Sequence, residues 1–385
     1  MKSIRLVLLI AMLAVLARVS FASEPVTDSS RAAVALKPKV QIALLLDTSG
    51  SMDGLISQAK TQLWKIVNEF ALSRKNGVRP DLQVALYEYG KQSIPASENF
   101  LRQIVPLTAD LDKVSEELFK LTTNGGEEYC GAAIKAATEG LAWSASNSDF
   151  KAIFICGNEP FTQGSINYAE ACKAAISKGI IINTIHCGNE NTGIAGKWQD
   201  GAALADGKFM NIDQNQQVAH IAAPQDEEIA RLGVELNKTY IAYGRRGAER
   251  KNLQEAQDKN AESAKKQGAE VQRAVSKASG AYKNEAWDLV DATAAAPAAL
   301  KAIKEEELPA EMKNMDEKQR EAYVKGKAEE REALQKKISE LNEARRKFVA
   351  EKEKEQATAA GAKTLDAAII NAIREQGQKK NYEFK

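Results

Sequence analysis

The chain has 385 residues, and its 53 Lys and Arg against 52 Asp and Glu give a formal net charge of +1. This balance excludes proteins that hold nucleic acid or anionic membranes through a strong overall positive charge. Hydrophobic residues make up 44% of the chain, enough for a substantial core, and the length suits two domains better than one.

The first 22 residues have the pattern of an export signal. Lys2 and Arg5 precede an apolar run at 6–17, and the small residues around Ala22 fit a signal-peptidase site. An uncleaved membrane anchor is the alternative, but these twelve apolar residues span only about 18 Å of helix, short of the roughly 30 Å bilayer core. We therefore predict a signal peptide at 1–22 and an exported protein, periplasmic or secreted, that is soluble and has no integral membrane span after cleavage.

After a polar, flexible lead-in at 23–38, short apolar runs alternate with helical stretches. The predicted strands are 40–46, 82–87, 152–156 and 179–185, and the predicted helices between them include 54–72, 111–121, 131–143 and 167–178. Near-continuous Val, Ile and Leu runs are typical of strands buried on both faces, and their alternation with helices favours crossovers onto a parallel sheet. The predicted fold class is α/β, with a doubly wound, mainly parallel, Rossmann-like sheet over 39–222.

Beyond this region the chain becomes charge-dense and mostly helical. Residues 221–385 contain 62 charged side chains, whereas the first 220 residues contain 43. We predict a helical C-terminal region at 223–385, with a long helix at about 313–356. A last short helix is predicted at 364–377, with Thr364 as its N-cap.

The long helix has a narrow apolar stripe about two heptads long. Its members lie three, four or seven residues apart and are Leu334, Ile338, Leu341 and Phe348. Such a stripe is too short for an independent coiled coil. We expect a helical hairpin that packs on itself or on the first domain, with self-association through this tail as the alternative.

A group of oxygen-bearing side chains directly follows the first predicted strand. Asp47, Ser49 and Ser51 alternate in a tight loop before a helix, so the three side chains can face one point. In a parallel α/β sheet this loop lies at the carboxyl edge, where ligands usually bind. One carboxylate and two hydroxyls suit Mg²⁺ with several retained waters, with Mn²⁺ or Ca²⁺ as alternatives. A simpler interpretation is a turn in which Ser51 or Asp53 only caps the helix.

The sequence Leu-Leu-Asp-Thr-Ser-Gly-Ser-Met at 45–52 resembles the metal-ion-dependent adhesion site (MIDAS) of the von Willebrand factor type A (VWA) domain. The resemblance covers roughly 39–221 and includes a Gly-Gly pair at 125–126. It implies a Rossmann-like fold and a divalent cation, Mg²⁺ first, held by the three oxygen-bearing side chains. It also implies metal-dependent interaction or adhesion with a protein partner, which the sequence does not identify.

The chain departs from the family pattern at two ligand positions. The family has a Thr just after the Gly-Gly pair and an Asp at the end of the fourth strand, where this chain has Glu127 and Gly157. If Glu127, with Glu159 acting through a water, replaces the missing ligands, the cation is more fully neutralised and attracts a partner's carboxylate less. If Glu127 and Glu128 point away instead, the ion is lost.

The four cysteines, Cys130, Cys156, Cys172 and Cys187, allow disulfides in an oxidising compartment, with three connectivities that the sequence does not separate. A structural disulfide or inert buried thiols is the simpler expectation. The alternative is a redox or soft-metal enzyme in which His186 joins the thiols at the rim of the sheet.

Known catalytic motifs are missing from the sequence. It contains no Gly-x-x-x-x-Gly-Lys loop, no Gly-x-Ser-x-Gly elbow and no His-Glu-x-x-His. We therefore predict a non-enzymatic protein. A structural envelope protein that assembles through its helical tail is a further alternative.

Overall fold

A computed structural model describes residues 37–216, 220–356 and 364–384. The predicted signal peptide at 1–22 and the lead-in up to residue 36 lie outside these residues. The strands are β1 Lys39–Asp47, β2 Arg74–Lys75, β3 Asp81–Tyr89, β4 Leu101–Thr108, β5 Phe150–Gly157, β6 Ile181–Cys187, β7 Phe209–Ile212 and β8 Tyr382–Glu383.

The helices divide into those of the sheet region and those of the tail. The first group is α1 Asp53–Ala71, α2 Leu111–Lys120, α3 Cys130–Gly140, α4 Tyr168–Ser177, α5 Glu190–Ala195 and α6 Trp198–Ala203. The second group is α7 Asp226–Asn237, α8 Gly247–Ser263, α9 Ala269–Ala278, α10 Leu289–Ala295, α11 Ala299–Ala302, α12 Glu317–Gln356 and α13 Leu365–Gln378. In the described residues, no helix is both long and apolar enough to cross a membrane.

Six strands form the main sheet in the order β4-β3-β1-β5-β6-β7, and every neighbouring pair is parallel except β3 and β4. The doubly wound α/β fold predicted from the sequence is therefore confirmed. β1 lies between β3 and β5 and is almost wholly buried, as its continuous apolar run predicts. The antiparallel edge strand β4 was not predicted, because it has exposed polar residues and contains Pro106. Proline is tolerated at a sheet edge.

Helices cover both faces of this sheet. On one face Leu63, Trp64 and Phe70 of α1 pack against alternate residues of β1, β3 and β5. On the other face the side chains come from α3, α4 and α6, including Ile134 and Trp198. The loops at the carboxyl ends of the parallel strands are left at one open edge, and the residues discussed below lie there.

The tail helices pack on the sheet region rather than apart from it. α9 lies against α1, α8 lies against α2, and α12 lies against α7 and α9. Ile338 of the apolar stripe is fully buried in a separate core of the tail with Ile229 and Val275. Leu334 and Leu341 are partly buried against this core. The stripe therefore packs within the chain. The division between domains at 222 stays a prediction.

The last helix returns to the first core. α13 packs against α1, β6 and β7, and it adds Leu365, Ile369 and Ile373 to the core on the α1 face of the sheet. Thr364 occupies the predicted N-cap position, but its side chain makes no capping hydrogen bond. The C-terminal segment therefore completes the interior of the sheet region.

Candidate metal site at the carboxyl edge of the sheet

The structure brings Asp47, Ser49 and Ser51 together at the end of β1. The Ser49 backbone N–H donates to Asp47 Oδ1 over 2.7 Å, and the hydroxyls of Ser49 and Ser51 are 3.2 Å apart. Asp47 and Ser49 are buried, whereas Ser51 is exposed. One short loop thus places a carboxylate and two hydroxyls in a row that leads from the core to the surface.

One oxygen of this group has no partner. Asp47 Oδ2 is buried and accepts no hydrogen bond from any described residue. Burial raises the pKa of Asp47, although contacts with Glu128 and Ser49 act in the opposite direction. An unpaired carboxylate oxygen is costly to bury, so its position marks a place where a cation or a proton is expected.

Glu128 is the second buried carboxyl group of the site, and sequence reasoning missed it. A Cβ added at Gly90 would lie 2.7 Å from Asp47 Oδ1 and 2.9 Å from Glu128 Cγ, so both side chains press on the same backbone atom. Burial raises the pKa of Glu128 to about 9, and the neighbouring Asp47 adds to the increase. Neither carboxyl group forms an ion pair with a described residue.

Glu127, the predicted ligand after the Gly-Gly pair, is not brought to this group. Its side chain is exposed and makes no hydrogen bond or ion pair with the described part of the chain. The pair of adjacent glutamates was visible in the sequence. The path of the loop decides which glutamate faces inward. Gly126 lies so close to the Gly90 carbonyl that a Cβ added to Gly126 would be 2.4 Å from the carbonyl oxygen.

The loop after β5 contributes from the other side. Asn158 Oδ1 accepts from the Ser51 hydroxyl over 3.3 Å, and the Glu159 backbone N–H donates to Glu128 Oε2 over 3.4 Å. The half-buried Glu159 carboxylate also raises the pKa of both Asp47 and Glu128 by like charge. Glu159 is therefore near enough to act on the site electrostatically.

Gly157 occupies the position where the family pattern has an aspartate, and the packing explains the glycine. A Cβ at this position would lie 2.5 Å from Tyr89 Oη and 3.1 Å from Asp47 Oδ2. A side chain here would displace the tyrosine or the carboxylate. The site therefore receives its second carboxyl group from Glu128 rather than from the end of β5.

The donor set limits which ion could bind. Within 37–216, 220–356 and 364–384, no group of three or more His, Cys, Asp or Glu is arranged to hold a metal. An ion at this edge would therefore take part of its shell from the two hydroxyls and from water. Hard oxygen ligands with retained waters fit Mg²⁺ best among the common cations.

The cysteines do not form a group at the rim. All four are free and buried, and the sheet separates Cys156 and Cys187 on the α1 face from Cys130 and Cys172 on the other. Burial raises the pKa of each thiol, that of Cys172 to about 12, so thiolate chemistry is disfavoured.

His186, the other residue of the redox alternative, is enclosed in the fold. Its Nδ1 lies 3.0 Å from Asn211 Oδ1, its Nε2 lies 3.2 Å from the Asn158 carbonyl oxygen, and its ring packs on Trp198. Both ring nitrogens therefore already face protein acceptors.

Residues 41–220 match the family model described as the von Willebrand factor type A domain. No curated protein matches the chain. Several solved structures do. BatB from Bacteroides thetaiotaomicron is 19% identical, with 45% of this chain and 90% of that one covered and a TM-score of 0.35. The SpRpn10 VWA domain is 18% identical, with 46% and 90% covered and a TM-score of 0.36.

A mussel protein is also similar. Proximal thread matrix protein 1 from the byssus, in a structure with a zinc-occupied MIDAS motif, is 13% identical. The match covers 47% of this chain and 43% of that one, with a TM-score of 0.36.

Proposed function

We propose, because residues 41–220 match the family model of the von Willebrand factor type A domain, that the protein is an exported, non-catalytic interaction module. It binds a protein partner at the carboxyl edge of the sheet, in a manner that depends on a divalent cation, Mg²⁺ in the first place. VWA domains typically mediate protein–protein interaction.

The unpaired Asp47 Oδ2 is the observation that supports the metal. The oxygen is buried and has no donor, and its carboxylate interacts with the Ser49 hydroxyl. Asp47 and Ser49 are buried and Ser51 is exposed, so the three oxygen ligands extend from the core to the solvent. Glu159, whose charge acts on Asp47 and Glu128, would contribute through a water, and Glu127 is exposed. With few protein ligands, the ion keeps coordination positions for water or a partner.

Calorimetric titration with MgCl₂ and MnCl₂ tests the site directly. We expect the Asp47→Asn variant to lose ion binding, because the isosteric amide removes the central negative charge. Asp53→Asn is the matched control, since Asp53 is an exposed carboxylate at the start of α1, and it should bind ions as the unchanged chain does. Equal ion affinity of the Asp47→Asn variant, with a native circular dichroism spectrum, would remove the proposal.

Dependence of partner binding on the ion is tested by affinity capture from the native envelope. The unchanged chain should retain a partner in Mg²⁺ and lose it in EDTA, and the Asp47→Asn variant should retain none under either condition. Retention that is insensitive to both chelator and variant would show that recognition lies elsewhere on the chain.

Export is proposed from residues 1–22 and is tested on the mature protein. N-terminal sequencing of the protein recovered outside the cytoplasm should begin at Ser23. A chain that starts at Met1 and stays in the cytoplasmic fraction would contradict it.

The two alternative functions have less support from the contacts described above. Redox chemistry needs an accessible thiolate, and the thiols are buried on opposite faces of the sheet. Assembly through the tail needs a free apolar stripe, and Ile338 is already covered by α7 and α9.

A further inference from the structure

Asp47 and Glu128 form a pair of buried carboxyl groups without a counter-charge in the described residues. Both have less than 5% of their surface exposed, and both interact with the Ser49 hydroxyl. Two carboxylates this close in a water-poor pocket repel each other unless a cation or a shared proton lies between them.

Glu88, another buried carboxylate at this edge of the sheet, has a different environment. Glu88, at the end of the neighbouring strand β3, is fully buried but forms ion pairs with Arg102 and with Lys91, the latter over 3.5 Å. Glu88 therefore has basic partners, whereas Asp47 and Glu128 have none in the described part of the chain. Asp47 Oδ2, which is buried and accepts no hydrogen bond from a described residue, leaves a coordination position open at the same place.

Resting on the proposed metal site, we propose that Glu128 is an internal carboxylate ligand opposite Asp47, and that the loaded site consequently selects a basic rather than an acidic partner surface. The two carboxylates cancel the charge of a divalent ion. The formally neutral centre has little attraction left for a third carboxylate, while the ion still orders the loops around it.

The charges around the centre set the sign of its field. Glu127 is exposed and Glu159 is half-buried, and neither forms an ion pair with a described residue. Asp53, at the start of α1, has a hydrogen bond from Thr123, and Lys60 is close enough to interact with its charge. With the centre neutral, Glu127 and Glu159 give the rim a negative potential, which complements lysine and arginine side chains.

Ion affinity and coordinated water test the ligand assignment. Glu128→Gln keeps the shape and removes the charge, so Mg²⁺ and Mn²⁺ affinity should fall by at least about tenfold, or about 1.4 kcal/mol. Glu128→Ala should also show one more exchangeable water on bound Mn²⁺ by proton relaxation. Glu139→Gln, exposed on α3, is the matched control and should match the unchanged chain.

The partner assignment is tested with two synthetic peptides of equal length, one Lys-rich and one Glu-rich, titrated into the Mg²⁺-loaded full chain. The Lys-rich peptide should bind more tightly. Glu159→Gln should weaken that binding by about threefold or more, a charge effect of the size seen at exposed pairs. Glu343→Gln, an exposed site on α12, should leave it unchanged. Tighter binding of the Glu-rich peptide would overturn this part.

The outcomes separate the two proposals. If neither the unchanged chain nor any variant binds an ion, or if Asp47→Asn binds normally, the metal site itself fails. If Asp47→Asn abolishes binding while both Glu128 variants bind as the unchanged chain does, the site stands and the role of Glu128 is overturned.

Discussion

The sheet edge and the helical tail both bury carboxylates, but they neutralise them in different ways. Arg273 of the tail is fully buried between Asp112 of α2, 2.5 Å away, and the half-buried Asp258 of α8, 2.8 Å away, with its guanidinium over the Trp64 ring. At the sheet edge, Asp47 and Glu128 face each other with no basic group in the described residues. Buried pairs in the tail are therefore complete within the chain, and the pair at the edge is not.

This difference separates structural acids from functional ones. A buried ion pair is held by the fold and breaks only with loss of stability, because removing one partner leaves a charge uncompensated. A buried pair of like charges has the opposite character, since it costs stability until a ligand arrives. Substitutions in the tail and at the sheet edge should therefore change stability in opposite directions.

Breaking the tail network should have the largest effect. Arg273→Met leaves the buried carboxylate of Asp112 without its guanidinium and removes one of the two basic partners of the half-buried Asp258. We expect the free energy of unfolding to fall by about 3–5 kcal/mol. Urea denaturation measures it, with Arg231→Met at an exposed pair as the control, expected to leave the free energy of unfolding nearly unchanged. If the free energy of unfolding fell by similar amounts in the two variants, buried and exposed ion pairs would not differ as expected.

Removing one acid from the sheet edge should have the opposite sign. Without divalent ions, Glu128→Gln removes the cost of burying a second carboxyl group beside Asp47 and should raise the free energy of unfolding by roughly 0.5–2 kcal/mol. At a Mg²⁺ concentration 100 times its Kd the unchanged chain should gain about 2.7 kcal/mol, and the variant less. Urea midpoints in EDTA and in MgCl₂ measure both values. A Glu128→Gln variant less stable in EDTA would mean that the pair is stabilising by itself.

The pH dependence of a paired tail acid sharpens the comparison. Burial alone would raise the pKa of Asp226, but hydrogen bonds from His220, the Ala223 N–H and Arg345 lower it to about 2. Since the pKa is below its unfolded value near 3.9, the contribution is present above about pH 4 and is lost as the pH falls towards 2.

Asp226→Asn should therefore cost about 1–2 kcal/mol at pH 6, after allowance for solvent screening. Stability curves of the two proteins should converge as the pH is lowered from 4 to 3. Curves that stay parallel over this interval would show that the carboxylate charge is not the cause of the difference.

The smallest expected effect is a difference in stability between two helix N-cap variants, one in each region. Asn167 caps α4 with hydrogen bonds from the backbone N–H groups of Ala169 and Glu170, whereas the Thr364 side chain makes no such bond to α13. Asn167→Ala should cost about 1 kcal/mol, and Thr364→Ala should cost less through the cap. Thermal unfolding of the two variants measures this, and a larger loss for Thr364→Ala would contradict the geometry.

The central strands and the position of the site were predictable because their signals are local. Continuous apolar runs mark strands with helices on both sides, and the loop after β1 must lie at the carboxyl edge of a parallel sheet. The edge strand β4 lacked that signal, since only Val105 among its residues is fully buried and Pro106 interrupts the pattern. Tertiary pairing with β3, not local composition, makes it a strand.

The identity of the second carboxyl group was beyond the sequence for a different reason. Glu127 and Glu128 are chemically identical neighbours, and no periodicity governs a loop. The choice is made by the close contact of Gly126 with Gly90, which are far apart along the chain. The packing of α13 was also not predictable from the sequence. Its apolar pattern predicts a helix but does not show which surface the helix covers.

The return of α13 to the first core has a consequence for biosynthesis. The Leu365 backbone N–H donates to Gln58 Oε1 across 307 residues of chain. At a ribosomal rate of roughly 5–20 residues per second, about 10–30 s separate the emergence of β7 from that of α13. Throughout that interval the newly made sheet lacks one of its covering helices, so nascent chains and prematurely terminated products present an apolar face that chaperones can hold.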